Sequence, residues 1–501
     1  MTVAPPDSLA DFHDHWHRQN GHCPACVQQE LLRCLLERGD REFHSRLQAC
    51  WPLDPLAVYG ALPTPLRMHA DARFTGRGVT ICFIDSGFYP HPDLTRPHNR
   101  IKAWVNASED ELDVREFSSK EIPQWPGWDS GVPLLWHGLM TSCVGAGNGF
   151  LSNGLYRGLA SDSEVVLIRV RDREERMTEE SMTRALNWVA SNSSRLGIRV
   201  VNISVGGNMR EEPGPNELDA AVDRVVSSGV VVVAASGNSG LRVLAPPATS
   251  PSAITVGGID DKNNFDHHAL ELWNSNYGLG GGYVPKPDLV APSLWVVAPL
   301  LCESEVAREA QRLFEAKPLD HQEIRRKALV TPHYKHVEGT SFAAPLCSAA
   351  VACMLEASPR SHPHHVKELL LRSAELVEGA SVARQGAGVL RPGLAVAEAL
   401  RHRHGQLQRY KCLPHLGKKL ITFLLHDHQA RRVQVAASWN QWREPLDLLR
   451  VDTGVWKLEM AKPIPGRHRY KFIVDDIWLD DPANPIKEPD GFGGYNSMFT
   501  V

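Results

Sequence analysis

The sequence has no run of about eighteen apolar residues, so it offers no membrane span. Its start, Met1-Thr2-Val3-Ala4-Pro5-Pro6-Asp7, lacks a basic stretch followed by an apolar one, so no secretory signal is expected. It lacks an excess of positive charge. Against 54 Lys and Arg stand 58 Asp and Glu, a formal net charge of −4, so bulk charge gives no support to a nucleic-acid partner. Internal repeats and low-complexity tracts are missing, which removes fibrous and collagen-like classes. The ten cysteines, without an export signal, read as free thiols of a reducing compartment rather than a disulfide scaffold. A cytoplasmic protein without membrane partners is expected. What remains is ordinary globular composition, 43 % hydrophobic and 22 % charged over 501 residues. At one domain per about 150 residues, two to four domains follow.

Residues 1–52 are rich in His and Cys, with His13, His15, His17, His22, Cys23 and Cys26. A Pro-rich break follows at Pro52, Pro55, Pro63 and Pro65. From residue 79 short apolar runs recur at 79–84, 165–170, 200–205, 230–235 and 253–256. Such runs suit strands covered on both faces, as in a parallel sheet. Helical patterns lie between them. Thr178 caps one whose stripe is Met182, Ala185, Leu186, Val189 and Ala190. Leu218, Ala221, Val222 and Val225 make another, closed by Gly229. Strand–helix alternation over 53–400 implies an α/β domain with helices on both faces of the sheet. Residues 302–330 read as a charged helical insertion, His362, His364 and His365 as an exposed helix start, and 401–419 as a basic linker. Over 420–501 the period becomes two, at Val433/Val435/Ala437, Trp456/Leu458/Met460 and Tyr470/Phe472/Val474, so an antiparallel β module is expected.

Four segments carry chemistry. They are Asp85-Ser86-Gly87, His137-Gly138, Ser236-Gly237-Asn238 and Gly339-Thr340-Ser341-Phe342-Ala343-Ala344-Pro345. A serine hydroxyl is a weak nucleophile near neutral pH. It needs an imidazole to take its proton and a carboxylate to fix that imidazole's tautomer. Asp85 ends a buried strand, where α/β sheets place their ligand crevice. Ser341 opens a helix, whose free N–H groups favour a developing oxyanion, and Asn238 ends another strand with an amide to donate. A nucleotide-binding domain with chance loop residues would need four coincidences in order.

Together, and in this order, the four segments resemble the subtilisin-like serine peptidases over residues 75–400. The resemblance implies that Asp85 orients, His137 is base and then acid, Ser341 is nucleophile, and Asn238 with the Ser341 N–H forms the oxyanion hole. It also implies that Ser204, Val205 and Gly206 hold a peptide as an added strand. The sequence departs from the family pattern at Leu139-Met140 after His137-Gly138, at Phe342, and in a long stretch before His137 holding Trp125-Pro126-Gly127-Trp128. No cofactor is needed for this catalysis. The family's structural calcium is one role open to Asp93, although the loop over 147–153 is a poor match and calcium takes about six to eight oxygens.

The C-terminal stretch resembles the glycogen-binding module of the AMP-activated kinase beta subunit and of starch-branching enzymes. The residues are Ser438-Trp439-Asn440-Gln441-Trp442, Gly454-Val455-Trp456, Lys471-Phe472-Ile473-Val474-Asp475 and Gly491-Phe492-Gly493-Gly494-Tyr495-Asn496. Sugar rings stack on flat aromatic faces and need placed polar partners. The resemblance implies an immunoglobulin-like sandwich in which Trp442 and Trp478 stack on α-glucan, Lys471 and Asn496 bind its hydroxyls, and Phe492 wedges between chains. Trp456 and Phe472 read as core. Cys23 and Cys26 are a weak metal pair. Zinc is not expected there, because a second pair at fixed spacing is missing and Cys34 with His22 fits imperfectly.

The sequence thus reads as a serine endopeptidase acting on protein or peptide and tethered to α-glucan such as glycogen. The alternative is a catalytically inactive glucan-binding adaptor on a peptidase scaffold. A third option is an active protease whose module binds only protein.

Overall fold

In the computed structural model the apolar runs become strands wherever they are short and end in Gly, Ser or Asp. The structure describes residues 61–501 except 125–134, 173, 210–213, 265–269, 317, 410–413, 417–418, 428–429, 453–454, 482–483, 485 and 491–494. These residues divide into two units, meeting between Leu400 and Arg401.

In the first unit β1 (Thr80–Asp85), β2 (Ile101–Asn106), β3 (Glu164–Arg169), β4 (Ile198–Ile203), β5 (Val231–Ala235), β6 (Ile254–Asp260) and β7 (Leu289–Pro292) pair in parallel, in the order β7-β6-β5-β4-β1-β3-β2. Asp113–Glu116 adds antiparallel to β2 and Glu271–Leu272 to β6. Sequence reading misses β2 and β7, whose apolar runs are cut by Lys102 and Pro292.

Side chains alternate across the sheet. Ile81, Phe83, Val165, Val200 and Val233 face α1 (Leu135–Ala146) and the long helix that starts at Thr340. Cys82, Ile84, Val166, Val201 and Val232 face α2 (Glu179–Leu196) and α3 (Glu217–Ser227). Helices therefore cover both faces, as predicted. Thr178 caps α2, its side chain accepting from Ser181 N–H. Helix α3 is capped by Asn216 and stops at Ser227, two residues before Gly229.

The insertion is two helices rather than one, α4 (Glu305–Glu315) and α5 (His321–Arg326), with a small cluster of Leu300, Ala310, Ile324 and Leu329. Helix α6 (Thr340–Ala357) is apolar on all sides and long enough to cross a membrane, but 89 % of it is buried inside this domain. It is the domain's central core helix. A short helix, Pro363–Arg372, starts at His362, with His362 and His364 exposed and His365 half-buried. The expected linker 401–419 is partly helical, because a helix runs over Pro392–Arg409. Pro392 suits a first helical position, and the weak apolar patterning beyond residue 400 hides the continuation.

The second unit has two antiparallel sheets. Strands β8 (Leu420–His426) and β10 (Val455–Ala461) pair in one; β9 (Val433–Ala437), β11 (Arg467–Val474) and β12 (Tyr495–Thr500) pair in the other. Phe423, Val435, Trp456, Tyr470, Phe472 and Phe499 from both sheets form one core. Trp456 and Phe472 are core residues, as expected.

Candidate active site

Asp85, at the C-terminal end of β1, is fully buried. Its Oδ1 lies 2.7 Å from His137 Nδ1 in the first turn of α1. Ser86 N–H donates to Oδ1 at 2.7 Å and the Thr141 hydroxyl to Oδ2 at 2.9 Å. His137 and Thr141 stand one helical turn apart, so both reach the same carboxylate. Burial of His137 opposes its charged form, but the Asp85 charge and hydrogen bond outweigh it, and the imidazole pKa is raised above the usual 6.5. The helix can approach this closely because position 138 is glycine. A Cβ there would lie 2.0 Å from the Gly87 carbonyl oxygen and 3.1 Å from Asp85 Cβ.

Ser341 lies in the first turn of α6. Pro345 lacks the N–H that would bond back to the Ser341 carbonyl. That carbonyl accepts instead from Ser204 Oγ at 2.9 Å. Ser204 Oγ accepts from Asn202 Nδ2 at 3.0 Å, and Asn202 Oδ1 accepts from Ser348 Oγ at 2.9 Å. This chain ties Ser341 to β4 and to Ser348, two turns further along α6. The Ser341 hydroxyl donates to the Ser204 carbonyl at 3.3 Å, not to His137. The Phe342 ring lies 5.9 Å from the His137 ring.

Asn238 is exposed, and its Oδ1 accepts from Thr340 N–H at 2.9 Å and Thr340 Oγ1 at 2.8 Å. Its amide NH₂ is therefore the end left for another acceptor. Gly339, at φ +124°, lets the chain pass. A Cβ there would lie 3.3 Å from Asn238 Nδ2. Ser204 is buried, Val205 half-buried and Gly206 exposed, just past the end of β4.

The structure thus joins Asp85 to His137 and fixes Asn238 beside Ser341, with Ser341 Oγ turned toward Ser204. Sequence reading misses Ser86, Thr141, Asn202, Thr340 and Ser348 as supports. Thr141 was open to discovery from its helical spacing to His137. Asn202 and Ser348 meet only through the fold.

In the second unit Tyr470 and Phe472 point inward, so Lys471 points out. Trp478 pairs across the strands with Ile473, next to Lys471 on that face, and Asn496 precedes the buried Ser497 that faces Tyr470. The Trp442 and Trp478 rings lie 6.1 Å apart, with Trp478 48 % exposed and Trp442 half-buried. Trp442 takes φ 63° in the turn after β9. Lys471 Nζ is tied to Asp490 Oδ2 at 2.5 Å. The predicted sugar contacts therefore share one outer face. Phe492, Cys23, Cys26, Cys34, His22 and the stretch 125–128 lie outside the described residues.

The model of the subtilase family matches residues 76–388. The chain belongs to the subtilase family. A second model, the glycogen recognition site of AMP-activated protein kinase, matches residues 421–501. The subtilase domain is 28 % identical to serine protease AprX of Bacillus subtilis over 309 residues, 59 % of this chain and 61 % of that protein. It is 29 % identical to subtilisin BL of Lederbergia lenta over 221 residues, 44 % of this chain and 65 % of that one. The chain thus spans less than two thirds of these relatives' length. Among solved structures, proteases of Pseudoalteromonas arctica PAMC 21717 align at 20 % identity and TM-score 0.47, covering 65 % of this chain and 91 % of theirs.

Whether Asp93 suits the structural calcium of subtilases can be tested on its surroundings. The Asp93 carboxylate accepts from the Tyr334 hydroxyl at 2.8 and 3.0 Å and from Leu151 N–H at 3.4 Å. His91 Nδ1 lies 3.6 Å away, and Cys143 is the third buried neighbour. The 147–153 loop offers N–H donors to Asp93, with Asn148 N–H on its carbonyl at 3.0 Å. Nitrogen, sulfur and N–H groups do not fit an ion that takes oxygens.

Proposed function

We propose that this chain is a serine endopeptidase whose C-terminal module holds α-glucan such as glycogen. The Asp85–His137 pair, at 2.7 Å, carries this reading. In the proposed reaction Asp85 fixes the imidazole with its hydrogen on Nδ1, leaving Nε2 to take the Ser341 proton. Ser341 Oγ leaves the Ser204 carbonyl, attacks the peptide carbonyl, and passes its proton to His137. Asn238 NH₂ and the first-turn Ser341 N–H, which has no acceptor within the helix, stabilise the oxyanion. His137 then gives the proton to the leaving amine, and water repeats the sequence to release the acyl group. The substrate backbone lies as a strand on Ser204, Val205 and Gly206. These steps need no cofactor.

We read the module as an immunoglobulin-like sandwich. The Trp442 and Trp478 rings support stacking on sugar, with Lys471 and Asn496 on the same face. Tethering raises the protease's local concentration on glucan-bound protein. Free thiols at Cys82, Cys143, Cys302, Cys347 and Cys353 support work in a reducing, cytoplasmic setting.

The test has two arms. Ser341→Ala should abolish labelling by a serine-directed fluorophosphonate; wild-type chain that takes no label and cleaves no peptide would instead favour the inactive adaptor. Trp442→Ala should remove the chain from a glycogen pull-down while leaving labelling intact. Glycogen binding at background in both forms would mean the module binds protein.

A further inference from the structure

We propose that His91, Asp93 and Cys143 form a buried site for a thiophilic divalent cation of the zinc class. One ligand atom from each lies within 4.8 Å of the other two. The side chains are buried, at 0, 1 and 3 % exposure. Imidazole, carboxylate and thiolate are the donors of zinc and its neighbours, whereas calcium and magnesium take oxygen. Tetrahedral bonds of about 2.0–2.3 Å put ligand atoms about 3.3–3.8 Å apart, so the widest separation needs to close by up to about 1.5 Å.

A second observation points to a missing partner. Asp93 N–H donates to His91 Nδ1 at 3.1 Å, so the neutral ring carries its hydrogen on Nε2. That buried nitrogen has no hydrogen-bond partner among the described residues. Buried polar groups are nearly always satisfied, and an orphan calls for an explanation. Rotation of the ring, with its hydrogen moved to Nδ1, would hand Nε2 to a metal at the cost of the Asp93 N–H bond to Nδ1. Beside the cluster is a cavity of about 370 Å³, lined in part by Pro92, Leu151, Cys302 and His333. Water from that side is the fourth ligand the proposal calls for.

Binding is an exchange in which the metal–sulfur bond forms as the Cys143 S–H proton leaves to solvent. One carboxylate and one thiolate then balance the dication's two charges, beside the Arg100 guanidinium. Arg100 and Tyr334 hold the site's frame: the Arg100 guanidinium donates to the Asp93 carbonyl at 2.6 Å, and the Tyr334 hydroxyl donates to the Asp93 carboxylate. His91 lies in the turn after β1, which ends on Asp85, and Cys143 lies on α1, which carries His137. An ion here would staple together the two segments that hold the Asp85–His137 pair.

The test uses the full chain carrying Cys23→Ser and Cys26→Ser, so that the N-terminal pair cannot contribute. Cobalt(II) titration of this parent should give a thiolate-to-cobalt charge-transfer band that saturates near one equivalent. Cys143→Ser should abolish the band. Asp93→Asn, which keeps the side chain's size, should need at least tenfold more cobalt to reach saturation. Cys353→Ser, a buried thiol elsewhere in the domain, should leave the band unchanged. If Cys143→Ser does not fold, His91→Gln and Asp93→Asn decide. No band in the parent, or a band that survives His91→Gln and Asp93→Asn unchanged, would overturn the proposal. So would a melting temperature raised by calcium and unmoved by zinc.

Discussion

Replacing Thr141 by valine keeps the shape of a fully buried side chain and removes one hydroxyl. That hydroxyl donates to Asp85 Oδ2 at 2.9 Å, and Asp85 is fully buried as well. A hydrogen bond to a charged group contributes about 1.5–3 kcal/mol, and the carboxylate cannot turn to water to recover it. We expect Thr141→Val to lower unfolding free energy by about 1.5–3 kcal/mol in urea, with an unchanged denaturant slope. Thr141→Ser, which keeps the donor, should recover most of this. The bond to His137 remains, so kcat/KM should fall by no more than about tenfold, far from the ~10⁴ seen when a triad carboxylate no longer holds the histidine tautomer. With one donor fewer, the carboxylate attracts His137 more strongly, so the acid limb of the pH profile should move to higher pH. A stability change under about 0.5 kcal/mol, or a serine variant as unstable as the valine, would refute the reasoning.

Asp85→Asn removes the attraction that holds the His137 pKa up while burial remains, so that pKa should drop below 6.5 in an NMR titration. In the native chain the raised pKa means this pair's charge contribution to stability is complete below the unfolded value and is lost as pH rises through the folded one. Gly339→Ala puts a side chain at φ +124° and 3.3 Å from Asn238 Nδ2. We expect about 1–3 kcal/mol of strain and a fall in kcat greater than in KM, read by steady-state kinetics. Asp288→Asn leaves the Lys286 ammonium buried without its 2.7 Å partner and should cost about 3–5 kcal/mol in denaturant melts. Burial lowers the Lys286 pKa to about 8, below the 10.5 of a free lysine. Between those values the unfolded chain holds the extra proton, so this group's contribution to stability should rise with pH there.

Much of the sheet is legible in the sequence because five of its strands are short, mostly apolar runs that stop at turn residues. Lys102 hides β2 for a physical reason: its stem packs while its Nζ reaches the Leu196 carbonyl at 3.0 Å, so a charged letter sits within a covered strand. The helix over residues 401–409 is hidden because its sequence, Arg401-His402-Arg403-His404-Gly405-Gln406-Leu407-Gln408-Arg409, carries no regular apolar stripe. The Asp85–His137 pair is legible as two motifs, since each needs its glycine or serine neighbour for a local backbone reason. The supporting shell is less so. Asn202 and Ser348 are ordinary polar residues until the fold brings β4 against α6.

By itself the sequence determined the alternation of strands and helices, the order of the four motifs, and the change to period two in the last module. These follow from local periodicity and turn chemistry. Only the tertiary structure decided that Pro345 frees the Ser341 carbonyl for Ser204, and that Trp442 and Trp478 meet. Only it decided that His91, Asp93 and Cys143 share one buried space. Each depends on groups distant along the chain being packed within a few ångströms, and side-chain spacing along a single element carries no record of that.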